Sequence, residues 1–167
     1  MRLLRNVVLC SALLAALTAA QISFAAGFGL YEGSARGNAM GSALTGLADD
    51  PSAIFYNPAG ITQLEGFQSL VGATLIRPAT DIKTMTPAGE VTSSSTERDW
   101  IPPHAYATYQ MNDRAWLGFG AYSRFGLGTA FDENWPGRYN SYNAVIKTIT
   151  LNPNLAVKVT DKFSLAA

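Results

Sequence analysis

The residues that could carry out chemistry are few, and they are not grouped as catalytic or metal sites usually are. Gly27, Gly29 and Gly33 mimic the spacing of a dinucleotide-binding loop. Such a loop needs a preceding β-strand, and the residues before it have the pattern of an export signal instead, so we reject this interpretation. Asp49 and Asp50 could form a metal-binding or acid–base pair, but the Pro-Ser pair that follows predicts the end of one helix and the cap of the next.

The other candidates for catalysis also lack partners. His104 is the only histidine, and no cysteine or carboxylate lies near it at a metal-ligand spacing. Its position on the polar side of an alternating segment predicts a side chain that faces a lumen. Ser34, Ser42 and Ser52 have no G-x-S-x-G context. We therefore predict no enzyme activity, no metal site and no cofactor.

The N-terminus has the pattern of a secretory signal peptide over residues 1–25. Arg2 and Arg5 precede an apolar run at residues 7–20, and cleavage is predicted after Ala25. The alternative, a membrane anchor, needs about 20 apolar residues, and this run is shorter. The only cysteine, Cys10, lies inside the signal, so an exported chain must be stabilised by a large core or by closure of a sheet. With zero net charge and no basic stripe, nothing in the sequence indicates nucleic-acid binding, and we predict none.

Residues 26–66 are predicted to form a compact plug, or hatch, that is ordered only by its surroundings. The segment is rich in Gly, Ala and Ser and has too few large apolar residues for a core of its own. Small residues recur every four positions, at Gly33, Gly37, Gly41, Ala35, Ala39 and Ala43. If the segment is helical, these positions make ridges that another backbone or a wall can approach closely.

Residues 148–158 give the clearest strand pattern. Apolar side chains fill one parity and, with one exception, polar side chains fill the other. Alternation over about 11 residues matches the length that a tilted strand needs to cross a bilayer. The pattern predicts that Leu151 and Leu155 face lipid, whereas Thr150 and Asn154 face a lumen.

Two earlier segments, residues 101–111 and 115–125, repeat this alternation less cleanly. In a third segment, residues 67–77, both parities carry large apolar residues, so its faces stay unassigned. Short and long connections alternate between the segments, with tight turns at 111–114 and 159–162 and long loops at 79–100 and 126–143. This alternation is typical of outer-membrane barrels, whose short turns lie in the periplasm and whose long loops lie outside the cell. The predicted fold class is therefore all-β, a transmembrane antiparallel β-barrel with a small N-terminal helical plug.

The strands at residues 67–167 are too few for a complete barrel. Even small barrels use about eight strands, and an open edge would expose unpaired backbone groups to lipid. Because only four to five strands are predicted, we expect the chain to be the N-terminal part of a longer protein.

The sequences AGFGL at residues 26–30 and ALTGLADDPSAIFYNPAGIT at residues 43–62 resemble the plug of FadL-type long-chain fatty-acid transporters of bacterial outer membranes. That family includes importers of aromatic hydrocarbons. The resemblance implies a monomeric, 14-stranded barrel through which hydrophobic molecules diffuse passively before leaving sideways through the wall into outer-membrane lipid. Alternatives are an aromatic-hydrocarbon importer of the same family, a structural or adhesive barrel that transports nothing, and a soluble secreted β-protein.

The resemblance also implies roles for particular residues: a ligand pocket with Phe28 and Leu30, a gating turn at Asn57, Pro58 and Ala59, and a strand kink at Gly118, Gly120 and Gly126. For each set a simpler role remains open. The pocket residues could only pack the plug on the wall, and the turn could only connect plug to strand. Strand glycines mark either a bend or a close approach, here room for the plug.

Overall fold

The computed structural model of the protein describes residues 27–167, and the predicted signal peptide lies outside the described residues. The described part is mostly β and begins with a group of short helices. These are α1 (Ala35–Ala39), α2 (Leu44–Leu47), α3 (Ala53–Tyr56) and a 3₁₀ helix (Pro58–Gln63). Between residues 27 and 167, the structure contains no helix that is both long and apolar enough to cross a membrane.

Nine strands follow: β1 (Phe67–Ala73), β2 (Asp81–Thr86), β3 (Gly89–Ser94), β4 (Pro103–Asn112), β5 (Ala115–Tyr122), β6 (Gly126–Ala130), β7 (Asn143–Lys147), β8 (Thr150–Thr160) and β9 (Phe163–Ala166). Five of them form one antiparallel sheet in the order β1-β4-β5-β8-β9. The other four pair as two separate hairpins, β2-β3 and β6-β7. The sheet is open rather than closed into a barrel, because β1 and β9 each pair on one side only among the described strands.

The two hairpins correct the prediction of loops at residues 79–100 and 126–143. Strands β2 and β3 carry polar residues at most positions, so their sequences give little alternation of apolar and polar side chains. Six pairs of residues face each other across the two strands of this hairpin. The turn between the strands leads into Gly89, whose φ is +116°. Glycine adopts that conformation without strain. The β2-β3 hairpin therefore depends on backbone pairing and turn geometry rather than on a buried face.

The five-stranded sheet has two distinct faces, as the alternation predicts. Leu151 and Leu155 in β8 are 65% and 47% exposed, whereas Asn154 lies on the opposite face and is buried. In β4 the buried residues likewise alternate with more exposed ones. The faces of β1, which the sequence left unassigned, follow the same rule: Phe67 and Val71 are on the exposed face. One face is thus apolar and uncovered, and the other is covered.

The helices cover the second face of the sheet and form the core with it. Ile54 of α3, Ile61 of the 3₁₀ helix and Leu64 pack against the aromatic residues Tyr106 and Trp116, with further contacts from Ala48, Ala53, Phe55, Tyr122 and Ala156. Burying an aliphatic side chain contributes about 1.5–3 kcal/mol. The helices share one core with the sheet. Residues 27–66, which include these helices, are called the plug segment, or plug, below.

The small residues at Gly33 and Gly37 pack within the plug segment rather than against the sheet. A Cβ at Gly33 would lie 2.6 Å from Cδ1 of Phe55, and one at Gly37 would overlap the ring of Tyr56. Helix α1 ends before Gly41, where φ is +60°, and Ser42 follows with φ +67°. The repeat is therefore not one continuous helix, since two successive left-handed residues interrupt it.

Candidate functional site

The N-terminal plug segment (residues 27–30) lies along the far end of β5. The backbone N–H of Leu30 donates to the carbonyl of Arg124 at 3.0 Å, and the N–H of Gly126 donates to the carbonyl of Phe28 at 3.2 Å. Gly29 and Phe125 form an isolated antiparallel bridge between these bonds. Leu30 is 3% exposed, and Phe28 is half-buried with a left-handed φ of +51°. Such a φ is uncommon outside glycine and marks a strained residue.

The segment covers a place where the sheet pairing stops. β5 pairs with β4 and β8 as far as Tyr122, and the chain re-enters a strand only at Gly126, in a separate hairpin. We call residues 123–125 the wall break. The side chain of Arg124 lies over the ring of Phe55 at 4.8 Å, and Thr148 Oγ1 donates to the carbonyl of Phe125. The structure therefore brings three predicted site residues, Phe28, Leu30 and Gly126, to one location.

Gly118 and Gly120 lie elsewhere, in the regular part of β5. Their pairing with β4 and β8 continues without a register shift. A Cβ at Gly118 would lie 3.0 Å from Ile54 Cδ1, and one at Gly120 would lie 2.9 Å from Ile54 Cγ2. Of the two roles left open for these glycines, the geometry favours close approach of the plug over a bend.

The turn at residues 57–59 lies at the other end of the sheet from the wall break. Asn57 Nδ2 donates to the carbonyl of Thr45 at 3.0 Å, which ties the turn to α2. Thr62 of the adjoining 3₁₀ helix donates to Ser164 Oγ of β9 at 2.9 Å. Asn57 and Ala59 also line a cavity with the β8–β9 turn, next to Lys158 and Asp161. The structure thus does not bring the predicted gating turn to the wall break.

Two buried aromatic side chains anchor the plug to the sheet. Tyr106 Oη donates to the carbonyl of Gly33 at 2.8 Å, and Trp116 Nε1 donates to the carbonyl of Leu64 at 2.7 Å. Tyr106 is 2% exposed and Trp116 is 3% exposed. Sequence reasoning missed both anchors. Both residues lie at the alternate positions of β4 and β5 that the sequence pattern marks as polar. A large aromatic side chain at such a position needs a partner that covers it, and this could have indicated the anchors.

The acidic pair of the plug is occupied by structural contacts. Arg36 Nη1 donates to Asp49 at 2.6 Å and to Asp50 at 3.4 Å. Asp50 accepts from the backbone N–H of Ser52 at 2.8 Å, a turn that leads into α3. The described residues contain no cluster of His, Cys, Asp or Glu that could hold a metal ion. His104 is buried on the covered face, stacked at 5.9 Å on Tyr106.

A family model described as "Outer membrane protein transport protein (OMPP1/FadL/TodX)" matches residues 16–167. The chain is 28% identical over 147 residues to the long-chain fatty acid transport protein of Escherichia coli K12, covering 85% of this chain and 32% of that protein. It is 35% identical over 101 residues to a protein of Neisseria meningitidis serogroup B that is named as outer membrane protein NMB0088. This match covers 56% of this chain and 22% of that protein.

The fold is also similar to a crystal structure of a Pseudomonas aeruginosa FadL homologue. The TM-score is 0.58 at 25% sequence identity, and the match covers 71% of this chain and 31% of that one. The chain thus spans about a third of the length of that homologue and of the E. coli relative. The family match covers the plug and every strand described above, and the chain belongs to the OMPP1/FadL/TodX family of outer membrane transport proteins.

Proposed function

We propose that this chain forms the N-terminal part of an outer-membrane channel for passive uptake of hydrophobic molecules, foremost long-chain fatty acids. The single observation that carries the proposal is the two-faced sheet: one face is apolar and uncovered, and the plug covers the other. An apolar outer band with an inner face closed by a plug is the arrangement of plugged outer-membrane barrels.

The proposed organisation has three parts: a signal peptide at residues 1–25, a plug at 26–66 and the first barrel strands at 67–167. Cleavage near Ala25 would start the mature chain just before the described residues. The tight β4–β5 and β8–β9 connections would lie in the periplasm, and the two hairpins outside the cell. The open edges of β1 and β9 would pair with further strands, since exposed edges are not tolerated in lipid. The greater length of the relatives is in keeping with this. The assembled barrel would be a monomer surrounded by outer-membrane lipid.

The ligand would reach the wall break beside Phe28 and Leu30 and leave sideways between β5 and its neighbours. The N-terminal plug segment closes this route with two backbone hydrogen bonds, at 3.0 and 3.2 Å. Each such bond contributes about 0.5–1.5 kcal/mol net, so thermal motion can open the segment and the rest of the plug can stay packed. Strain at Phe28 lowers the cost of opening further.

The other predicted site residues would support this route from a distance. Gly118 and Gly120 would leave room for the plug inside the barrel, and Gly126 would mark the end of the wall break. The turn at Asn57, Pro58 and Ala59 would hold the plug on β8 and β9. In this proposal the turn affects passage by fixing the plug, rather than by lying in the path of the ligand.

The proposal is tested with the full-length protein in a bacterial strain that lacks its own fatty-acid channel. Uptake of radiolabelled oleate and of radiolabelled toluene is measured, with heat-resistant migration on a gel as the folding control. The expected result is rapid oleate uptake that depends on the protein. Uptake of toluene alone would indicate the aromatic-hydrocarbon importer, and a folded barrel that takes up neither would indicate a structural or adhesive protein.

A further inference from the structure

A groove of about 480 Å³ lies next to the wall break, at the end of the sheet where β4 and β8 begin. Its size falls in the range of small-molecule sites, about 300–1,000 Å³. Ile101 and Ile149 line it, are 64% and 73% exposed, and continue the alternation of the exposed residues of β4 and β8. These two isoleucines therefore give the groove an apolar edge on the side of the uncovered face, whereas Leu30 is buried.

Two cations line this groove around one aromatic ring. The guanidinium carbon of Arg98 lies 5.0 Å from the ring centroid of Trp100, and Lys147 Nζ lies 6.0 Å from it. Among residues 27–167, neither cation takes part in an ion pair. Trp100 Nε1 is a buried donor that has no hydrogen-bond acceptor in the same part of the chain. The apolar groove thus carries two positive charges without an internal counter-ion.

The one acidic residue that lines the groove already has a counter-ion. Asp99 accepts from Arg77 Nε at 2.6 Å and from Arg77 Nη2 at 2.9 Å. These bonds hold the pKa of the Asp99 carboxyl below its ordinary value, so the carboxylate stays charged and stays paired with Arg77. Arg98 and Lys147 therefore remain available to an anion from outside the protein.

We propose that this groove binds a membrane lipid with a phosphate-monoester headgroup, with Arg98 and Lys147 on the phosphate and the isoleucines against an acyl chain. The proposal rests on the proposed function for its placement in the outer membrane. A phosphate monoester carries about −1.5 to −2 charges near neutral pH, which matches two cations better than a single carboxylate does. Arg offers a fork of donors to phosphate oxygens, and tryptophan is enriched at membrane interfaces. Because the exposed isoleucines lie on the side that lipid would cover, the ligand comes from the surrounding membrane and not from the lumen.

The test is native mass spectrometry of the full-length protein in detergent with added dioleoyl phosphatidic acid. Dioleoylglycerol, which lacks only the phosphate, is the matched lipid. We expect one retained phosphatidic acid and no retained dioleoylglycerol. Arg98→Gln combined with Lys147→Gln should weaken binding by about 30-fold, since each cation near an anionic lipid surface contributes roughly fivefold. Arg98→Lys combined with Lys147→Arg should retain binding, which controls for misfolding.

The matched control variant is Arg114→Gln with Lys162→Gln, at the opposite end of the sheet, and it should bind phosphatidic acid as the wild type does. Equal binding of the two lipids, or equal loss in both double-Gln variants, would overturn the proposal. Displacement by equimolar oleate would assign the groove to the transported molecule, and displacement by equimolar inorganic phosphate would reduce it to an anion site; either result contradicts a lipid site. The Arg98→Gln, Lys147→Gln variant should still take up oleate. Failure of uptake in the wild type would refute the proposed function and leave the binding result to stand on its own.

Discussion

Leu155 is the central residue of β8, and its replacement by Arg distinguishes a face in lipid from a face in water. The side chain is 47% exposed and lies opposite Leu117 in the register of β5 and β8. In a barrel, an arginine at the bilayer midplane costs about 2–4 kcal/mol, and near the interface the cost falls to about 0–1 kcal/mol. In water, a surface substitution at such a position changes stability by no more than about 0.5 kcal/mol.

The expected result is a strong dependence on depth. Leu155→Arg should lower the equilibrium constant for folding by about 30-fold to 700-fold, because the midplane cost is about 2–4 kcal/mol and about 1.4 kcal/mol corresponds to tenfold. Leu151→Arg, on the same face but second in the strand, should lower it by about fivefold or less. The full-length protein is folded into lipid vesicles and unfolded with urea while tryptophan fluorescence is followed. Leu155→Ala measures the loss of the leucine side chain alone. A face in lipid is refuted if the free energy of unfolding of Leu155→Arg stays within about 0.5 kcal/mol of wild type, or if both arginines cost the same.

Three further results are expected. Gly120→Ala should destabilise the protein by about 1–3 kcal/mol in the same assay because its Cβ would crowd a plug isoleucine. Gly46→Ala, whose Cβ would meet no atom within 4 Å, should be neutral or stabilising. Equal effects of the two substitutions would contradict the plug packing. An epitope at Ser94 should be accessible to antibody on intact cells and one at Asp113 should not, and equal labelling would contradict the topology. Bulky replacements at residues 57–59 should lower oleate uptake with normal heat-resistant migration, and unchanged uptake would leave the turn only a connector.

The barrel-like part of the fold could be predicted because one face of each strand has a consistent chemical character. The alternating segment at residues 148–158 corresponds to β8 (Thr150–Thr160), and the predicted separation of its two sides is confirmed by the exposure of Leu151 and Leu155 and the burial of Asn154. The same pattern fixes the register, since a shift by one residue would exchange the faces. Alternation of apolar and polar residues is therefore enough to predict the two faces of a strand that separates an apolar surface from a polar one.

The hairpins and the site needed the structure because alternation of apolar and polar residues does not indicate them. Strands β2 and β3 lack a buried face, so no periodicity indicates them. The plug segments are too short to be stable helices alone, and they are ordered by contacts such as Trp116 with Leu64, 52 positions apart in sequence. The wall break is likewise visible only in the pairing of the strands. Gly126 begins a separate hairpin, but in sequence it cannot be told from the glycines within β5 as the place where the strand is interrupted.

The most direct test of the central claim is a reversible crosslink across the wall break. Gly29 and Phe125 face each other in an antiparallel bridge, and the Cα separation in such pairs, about 4.5–5.5 Å, is compatible with a disulfide. The only cysteine of this chain, Cys10, lies in the predicted signal peptide. In the full-length protein with Gly29→Cys and Phe125→Cys, oleate uptake is measured after oxidation and again after reduction, with crosslinking verified by mass spectrometry. We expect uptake to be lost when the bond forms and to return when it is reduced. Equal uptake in the oxidised and reduced states, with complete crosslinking, would contradict exit of the ligand through the wall break.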